Sequence, residues 1–226
     1  MGFAHKNGAP PTFIASSSEV YGKPGVSVFS EEDDSIYGPT SITRWSYAHT
    51  KAIDEYLALA YGSQHKLPVV IARFFNTVGP RQVGRYGMVL PRFVKAALSN
   101  QPLRVFGDGL QTRCFCDVRD VVGVLPRLLA CPKAYGQVMN VGSDRSISIV
   151  DLAKRVIEVL GSDSIIETVE YSDAYPAGFE DLRHRKPDLT RLRSFVEFEY
   201  QYDLSDTIRD MATLIRSTDA VQGGAS

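Results

Sequence analysis

The chain has 226 residues, 44% of them hydrophobic and 23% charged, and a formal net charge of -1. That length buries a core in one domain or one and a half, and that composition excludes a disordered chain. The near-zero charge gives no electrostatic reason for nucleic acid or an anionic membrane as partner, and no apolar run approaches the roughly 20 residues of a membrane span.

Met1-Gly-Phe-Ala-His-Lys6 lacks the apolar core of a secretory signal, so the expected location is the cytoplasm. Gly2, Gly8, Pro10 and Pro11 suit a helix tail running into a turn. Thr12 to Ala15 reads as a short buried strand ending in Ser16-Ser-Ser-Glu-Val-Tyr-Gly22. Polar residues at a strand's carboxyl end are where open α/β sheets hold ligands, although a serine cluster before glycine is also ordinary turn chemistry. Residues 22 to 39 read as loop, with a solvated acidic run from Glu31 to Asp34.

A helix is expected from about Ile42 to Lys66, with Ala48, Ala52, Leu59 and Ala60 as formers and Pro68 as its stop. Near its start Tyr47 and Lys51 sit one turn apart on one face. A free phenol titrates near ~10, and a lysine cation beside it favours the phenolate, which makes the pair a candidate device for removing a proton. The bland alternative is an amphipathic helix whose ring packs and whose ammonium is solvated.

Val69 to Phe75 is a near-continuous apolar run suited to a parallel strand covered on both faces. Asn76-Thr-Val-Gly-Pro80 and a glycine-bearing loop to Gly87 follow, then a helix from Pro91 to Asn100, a strand at Leu103 to Phe106 and a turn at Gly107-Asp-Gly109. Arg113 to Val118 looks like a strand and Asp120 to Cys131 a helix perturbed by Pro126, with Asp117 and Asp120 as caps. Cys114, Cys116 and Cys131, without a histidine pair nearby, read as reduced thiols rather than a metal site. Gln137 to Val141 is a buried strand, and Ser148 to Leu160 an amphipathic helix capped by its serine and stopped by Gly161. Residues 165 to 171 suit a strand, 172 to 187 a loop, 188 to 194 and 204 to 215 short helices, and the tail from Ser217 is expected to fray.

This order gives an α/β fold: the C-terminal part of a Rossmann-like parallel sheet plus a smaller mixed α/β lobe. The expected division is a partial Rossmann-like domain over 1–80, a ligand lobe over 81–216 with about 110–142 returning to the sheet, and a flexible tail over 217–226. No Gly-x-Gly-x-x-Gly follows a strand, so the sequence offers no phosphate cradle for a dinucleotide.

Five motifs run through the chain in one order: Phe13-Ile-Ala-Ser-Ser-Ser-Glu-Val-Tyr-Gly22, Tyr47-x-x-x-Lys51, Arg73-Phe-Phe-Asn-Thr-Val-Gly-Pro80, Phe106-Gly-Asp-Gly-x-Gln-x-Arg113 and Arg185-Lys-Pro-Asp188. Together they resemble the extended short-chain dehydrogenase/reductases, and within them the NAD-dependent nucleotide-sugar epimerases, decarboxylases and dehydratases. The departure is the glycine fingerprint with its acidic ribose ligand, which the family carries in a first Rossmann half.

The resemblance implies a cofactor, NAD, and a nucleotide-diphosphate sugar, UDP-linked, as partner. Tyr47 would take the proton of the sugar 4-hydroxyl while Lys51 holds the nicotinamide ribose, and Ser17 would hydrogen-bond the reacting hydroxyl. Ala15 and Ser16 would border that ribose and Phe74 the nicotinamide ring, although Phe74 also suits plain core packing. Asn76 and Arg113 resemble diphosphate contacts, Leu103 and Phe106 a nucleobase slot, and Arg185 a second clamp on diphosphate or sugar carboxylate. At Ser18-Glu19 the dTDP-glucose dehydratases carry Asp-Glu, and serine cannot supply so acidic a proton. The pair resembles instead the UDP-glucuronate decarboxylases and the GDP-mannose dehydratases, whereas Asn76 to Pro80 and Gly87 to Arg92 look closer to the epimerases. The implied reaction therefore passes through a 4-keto sugar toward epimerisation or decarboxylation; the alternative is a catalytically silent nucleotide-sugar-binding protein unable to hold NAD alone. The family's homodimer, through the helix of Tyr47 and Lys51, is a further expectation.

Overall fold

A computed structural model of the chain describes residues 1–84, 88–170 and 182–223. Three parallel strands form its main sheet in the order β1-β3-β8, from β1 (Thr12–Ser17), β3 (Val69–Phe74) and β8 (Gln137–Val141). A short helix, α1 (Gly2–Lys6), precedes β1, and α2 (Trp45–His65) is the crossover that parallel neighbours require. The β3 side chains from Val69 to Arg73 are all buried, as a covered parallel strand demands.

α2 starts three residues later than expected and buries Trp45, Ala48, Glu55, Ala58 and Gly62. Gly62 allows its last turn to approach β3, because a Cβ there would meet Val69 Cγ2 at 2.8 Å. Lys66 closes the helix in the left-handed region.

Beyond β4 (Thr77–Val78) the chain enters a second layer built from α3 (Val89–Leu98), β5 (Leu103–Phe106), α5 (Ile149–Leu160), β10 (Ile166–Val169) and α7 (Leu204–Gly223). Their inward faces share one apolar core, including Phe93, Leu103, Leu152 and Met211. A second core joins β3 and β8 to α4 (Val118–Leu129) and α6 (Thr190–Phe195). Asp117 caps α4 by accepting the Arg119 N–H, and Ser148 caps α5 by accepting that of Asp151. Asp120, expected as a cap, instead accepts backbone N–H groups from Gln201 and Tyr202 and ties the C-terminal segment to α4.

Several expectations need correction. The stretch expected as one strand from Arg113 to Val118 divides into β6 (Thr112–Cys114), antiparallel to β9 (Ser146–Ser148), and β7 (Cys116–Asp117), parallel to β4. The 22–39 loop contains β2 (Val28–Phe29), which pairs with β11 (Lys186–Pro187) inside a stretch also expected to be loop. α3 begins at Val89 rather than Pro91, whose missing N–H costs nothing within a first turn. α4 continues past Pro126 to Leu129. α7 continues through Gly223, where a frayed tail from Ser217 was expected. Gly87, residues 172 to 181 of the expected loop and 224 to 226 of the tail lie outside the described residues.

Candidate active site

The end of β1 and the first turns of α2 form the centre. Ser17 closes β1 and caps the 3-10 turn Ser18–Tyr21, its Oγ accepting the Glu19 N–H at 3.2 Å. Ser18 is buried in that turn, and Ala15 is exposed. Across the gap, Lys51 donates from Nζ to the Ala15 carbonyl at 3.0 Å and pairs with Asp54 at 3.4 Å. One turn earlier Tyr47 is 51% exposed, so its ring is not absorbed into the core.

Beneath this surface lies a buried polar chain. Ser16 Oγ donates to Glu55, and Arg73 grips the same carboxylate through Nε at 3.0 Å and Nη2 at 2.7 Å. The Arg73 guanidinium also covers the Tyr21 ring at 4.6 Å, and Tyr21 Oη donates to Asn140 Oδ1 at 2.7 Å. Burial pushes the Tyr21 phenol up to about 12 despite the neighbouring Arg73, which suits a fixed donor. The Ser16 hydroxyl, expected beside the cofactor ribose, is thus turned inward to an ion pair whose members are 8% (Arg73) and 6% (Glu55) exposed. Sequence reasoning missed Glu55, although Tyr47, Lys51 and Glu55 repeat every four residues and an acid on a buried helix stripe needs a partner.

Glu19 and Arg185, 166 positions apart, meet at 2.7 Å. Burial would raise the Glu19 carboxyl, but the Arg185 guanidinium, with Arg44 and Arg113 further off, holds it below the ordinary glutamate range. Glu19 is accordingly a carboxylate at neutral pH, able to accept a proton or orient a donor. Arg185 is 7% exposed and spends one nitrogen on Glu19 rather than standing as a free anion clamp.

The remaining expected residues divide between surface and core. Phe74 packs against Phe13 with ring centres 6.0 Å apart, the packing alternative to a nicotinamide contact. Asn76 donates to the Cys114 carbonyl at 3.4 Å, and Arg113 Nη1 donates to the carbonyls of Thr112 and Leu182, each at 2.8 Å. Leu103 is corrected: it is fully buried in the core of the second layer, because alternation along β5 turns it inward with Val105. Phe106 lies on the other face and lines a cavity of about 380 Å³ with Arg92, Ala96, Pro102 and Arg104.

The fit to a dinucleotide is partial. Exposed Ala15 and the Lys51 ammonium form a polar surface at the end of β1 of the kind that a ribose would need, and Lys51 would be its donor. For the pyrophosphate the sequence carries no Gly-x-Gly-x-x-Gly. Among the described residues no helix is long and apolar enough to cross a membrane, and no three of the histidine, cysteine and acidic side chains converge on a metal site.

Residues 1–142 match the NAD dependent epimerase/dehydratase family. The chain is 43% identical over 207 residues to a UDP-N-acetyl-alpha-D-glucosaminuronate decarboxylase of Bacillus cytotoxicus, covering 89% of itself and 64% of that relative. It is 34% identical over 206 residues to UDP-glucuronic acid decarboxylase 6 of Arabidopsis thaliana, covering 91% of itself and 57% of the relative. Among solved structures, a UDP-glucuronic acid 4-epimerase from Bacillus cereus in complex with NAD superposes with a TM-score of 0.76 at 25% identity, over 92% of this chain and 60% of that one. The chain thus spans about two thirds or less of the length of these relatives.

Proposed function

This chain belongs to the NAD dependent epimerase/dehydratase family, and from that premise we propose that it supplies the proton-transfer and nucleotide-sugar-binding part of an NAD-dependent enzyme that works through a 4-keto sugar. Decarboxylation of a UDP-linked uronate is the favoured outcome. The observation that carries this choice is the Glu19–Arg185 pair at 2.7 Å beside the end of β1. Two decarboxylases among the relatives support it.

In this reading Tyr47 removes the proton from the sugar 4-hydroxyl and Ser17 holds that hydroxyl in line. Lys51 keeps positive charge beside the phenolate and donates to the cofactor ribose. NAD, when bound, supplies the hydride acceptor for C4. A ketone at C4 lies β to the C5 carboxylate, so the C5–CO2 bond breaks with its electrons delocalised toward the C4 oxygen, and a proton then returns to C5. Ser18 lacks the acidity to expel a hydroxyl, which argues against dehydration of the dTDP-glucose type, and Glu19, held as a carboxylate, is left to act as a base. In the same reading Asn76 and Arg113 hold the diphosphate and Phe106 takes the base.

A second reading, nucleotide-sugar binding without turnover, is favoured by one observation, the lack of a Gly-x-Gly-x-x-Gly in the sequence. Joining the chain to a Rossmann half that carries a Gly-x-Gly-x-x-Gly turn separates the two. Release of carbon dioxide from UDP-glucuronate or its 2-acetamido analogue supports the first reading, a 4-epimer alone redirects it to epimerisation, and tight binding with neither product supports the second. A homodimer through α2 belongs to this proposal, since Ile53, Tyr56 and Leu57 are 55%, 72% and 57% exposed there. A monomer by light scattering at high concentration removes that part.

A further inference from the structure

Resting on the proposed use of Glu19 and Arg185, we propose that Asn140 is a positioning residue for the reaction. Its buried side-chain amide clasps the turn that carries Glu19 to the segment that carries Arg185, so that the two meet. The pair is 166 positions apart in the chain. Glu19 sits in the turn Ser18–Tyr21 and Arg185 immediately before β11, both outside the main sheet.

Asn140 belongs to β8, stands opposite Arg73 in the register with β3, and is 0% exposed. Its Oδ1 accepts from the hydroxyl of Tyr21, the last residue of the Glu19 turn, at 2.7 Å. Its Nδ2 donates to the Phe29 carbonyl at 2.9 Å and to the Asp188 carbonyl at 3.2 Å. The Asp188 N–H donates in turn to the Phe29 carbonyl at 2.8 Å, which closes the end of β11 on β2. One amide therefore holds the turn on one side and the β2–β11 pair on the other.

Few side chains can do this. The place requires one acceptor and two donors on a short stem, and a primary amide carries all three. The two backbone carbonyls only accept, so the nitrogen must face them and the oxygen the phenol. From Tyr21 back to Glu19 the chain is a single 3-10 turn, and from Asp188 back to Arg185 it is β11. Both spans are short and hydrogen-bonded, so a displacement at the amide is carried to the 2.7 Å contact between carboxylate and guanidinium.

The test is carbon-detected NMR titration of the Glu19 carboxyl in the wild-type chain, in Tyr21→Phe and Asn140→Ala, and in Arg185→Gln as the reference for a lost partner. In the wild type Arg185, with Arg44 and Arg113 further off, holds that carboxyl below its ordinary range. The expected result is a Glu19 midpoint that rises in both positioning variants toward the Arg185→Gln value. Tyr21→Phe removes one oxygen and keeps the ring beside Phe29 and Phe75, so it carries the test if Asn140→Ala fails to fold. A purely structural Asn140 gives lower stability in urea with an unmoved midpoint in the folded chain; that result overturns the inference and leaves the proposed function standing. In the chain joined to a Rossmann half with a Gly-x-Gly-x-x-Gly turn, Tyr21→Phe is expected to lower kcat about tenfold or more with KM within about threefold. A shifted midpoint with unchanged kcat overturns the positioning role. A joined wild-type chain that forms no product overturns the proposed reaction, and this inference with it.

Discussion

Lys51, in the second turn of α2, donates to the carbonyl of Ala15 at the exposed end of β1 across 3.0 Å. One hydrogen bond thus fastens the helix of the candidate base to the strand of the candidate hydroxyl-holding serine. Because Ala15 is exposed and Lys51 also meets the exposed carboxylate of Asp54, the bond contributes little to folding. Lys51→Met is expected to change unfolding stability in urea by no more than about 1 kcal/mol. In a chain joined to a Rossmann half with a Gly-x-Gly-x-x-Gly turn, the same change is expected to lower turnover by roughly a hundredfold or more. A large stability loss with unchanged turnover would reverse the assignment.

The Glu55–Arg73 pair behaves oppositely. Both members are buried, and Glu55 also receives the Ser16 hydroxyl, so removing the carboxylate strands a guanidinium in the interior. Glu55→Ala is expected to cost about 3–5 kcal/mol. Glu55→Gln, which retains an acceptor for Ser16, is expected to cost less. Urea midpoints of the two variants check the order.

Acid should loosen the contact between Glu19 and Arg185 late. A carboxyl held below its ordinary range in the folded chain contributes stability that is present above its unfolded value, about 4.3 for glutamate, and lost as pH falls through the lower folded value. The stability difference between wild type and Glu19→Gln is therefore expected to stay flat from pH 7 to about 5 and to shrink below about 4. Denaturation curves at stepped pH measure it, and a difference that grows on acidification would contradict the sign.

This polypeptide alone is expected to bind NAD very weakly. A phosphate cradle supplies several charged hydrogen bonds of roughly 1.5–3 kcal/mol each, and no strand here is followed by the turn that would donate them. Micromolar affinity in a calorimetric titration would overturn this.

Long periodic elements were legible in the sequence and short paired ones were not. The apolar run at Val69 and the helix around Tyr47 announce themselves through their own spacing, and Ser148 and Gly161 mark both ends of α5. β2 and β11 have two residues each and exist only because they pair across the fold, so no local pattern reveals them. Leu103 and Phe106 were read together as one slot, although period-two alternation sends them to opposite faces. Glu19 and Arg185 were each singled out, yet their meeting depends on where the segment leading into β11 lies against the turn after β1.

The central claim is that Tyr47 takes the sugar's 4-hydroxyl proton, and its most direct test is turnover by Tyr47→Phe in the chain joined to a Rossmann half with a Gly-x-Gly-x-x-Gly turn. Phenylalanine keeps the ring and removes only the oxygen. The account predicts product formation reduced by about a hundredfold or more, with UDP-sugar affinity within about threefold of wild type. Turnover at the wild-type rate would contradict it.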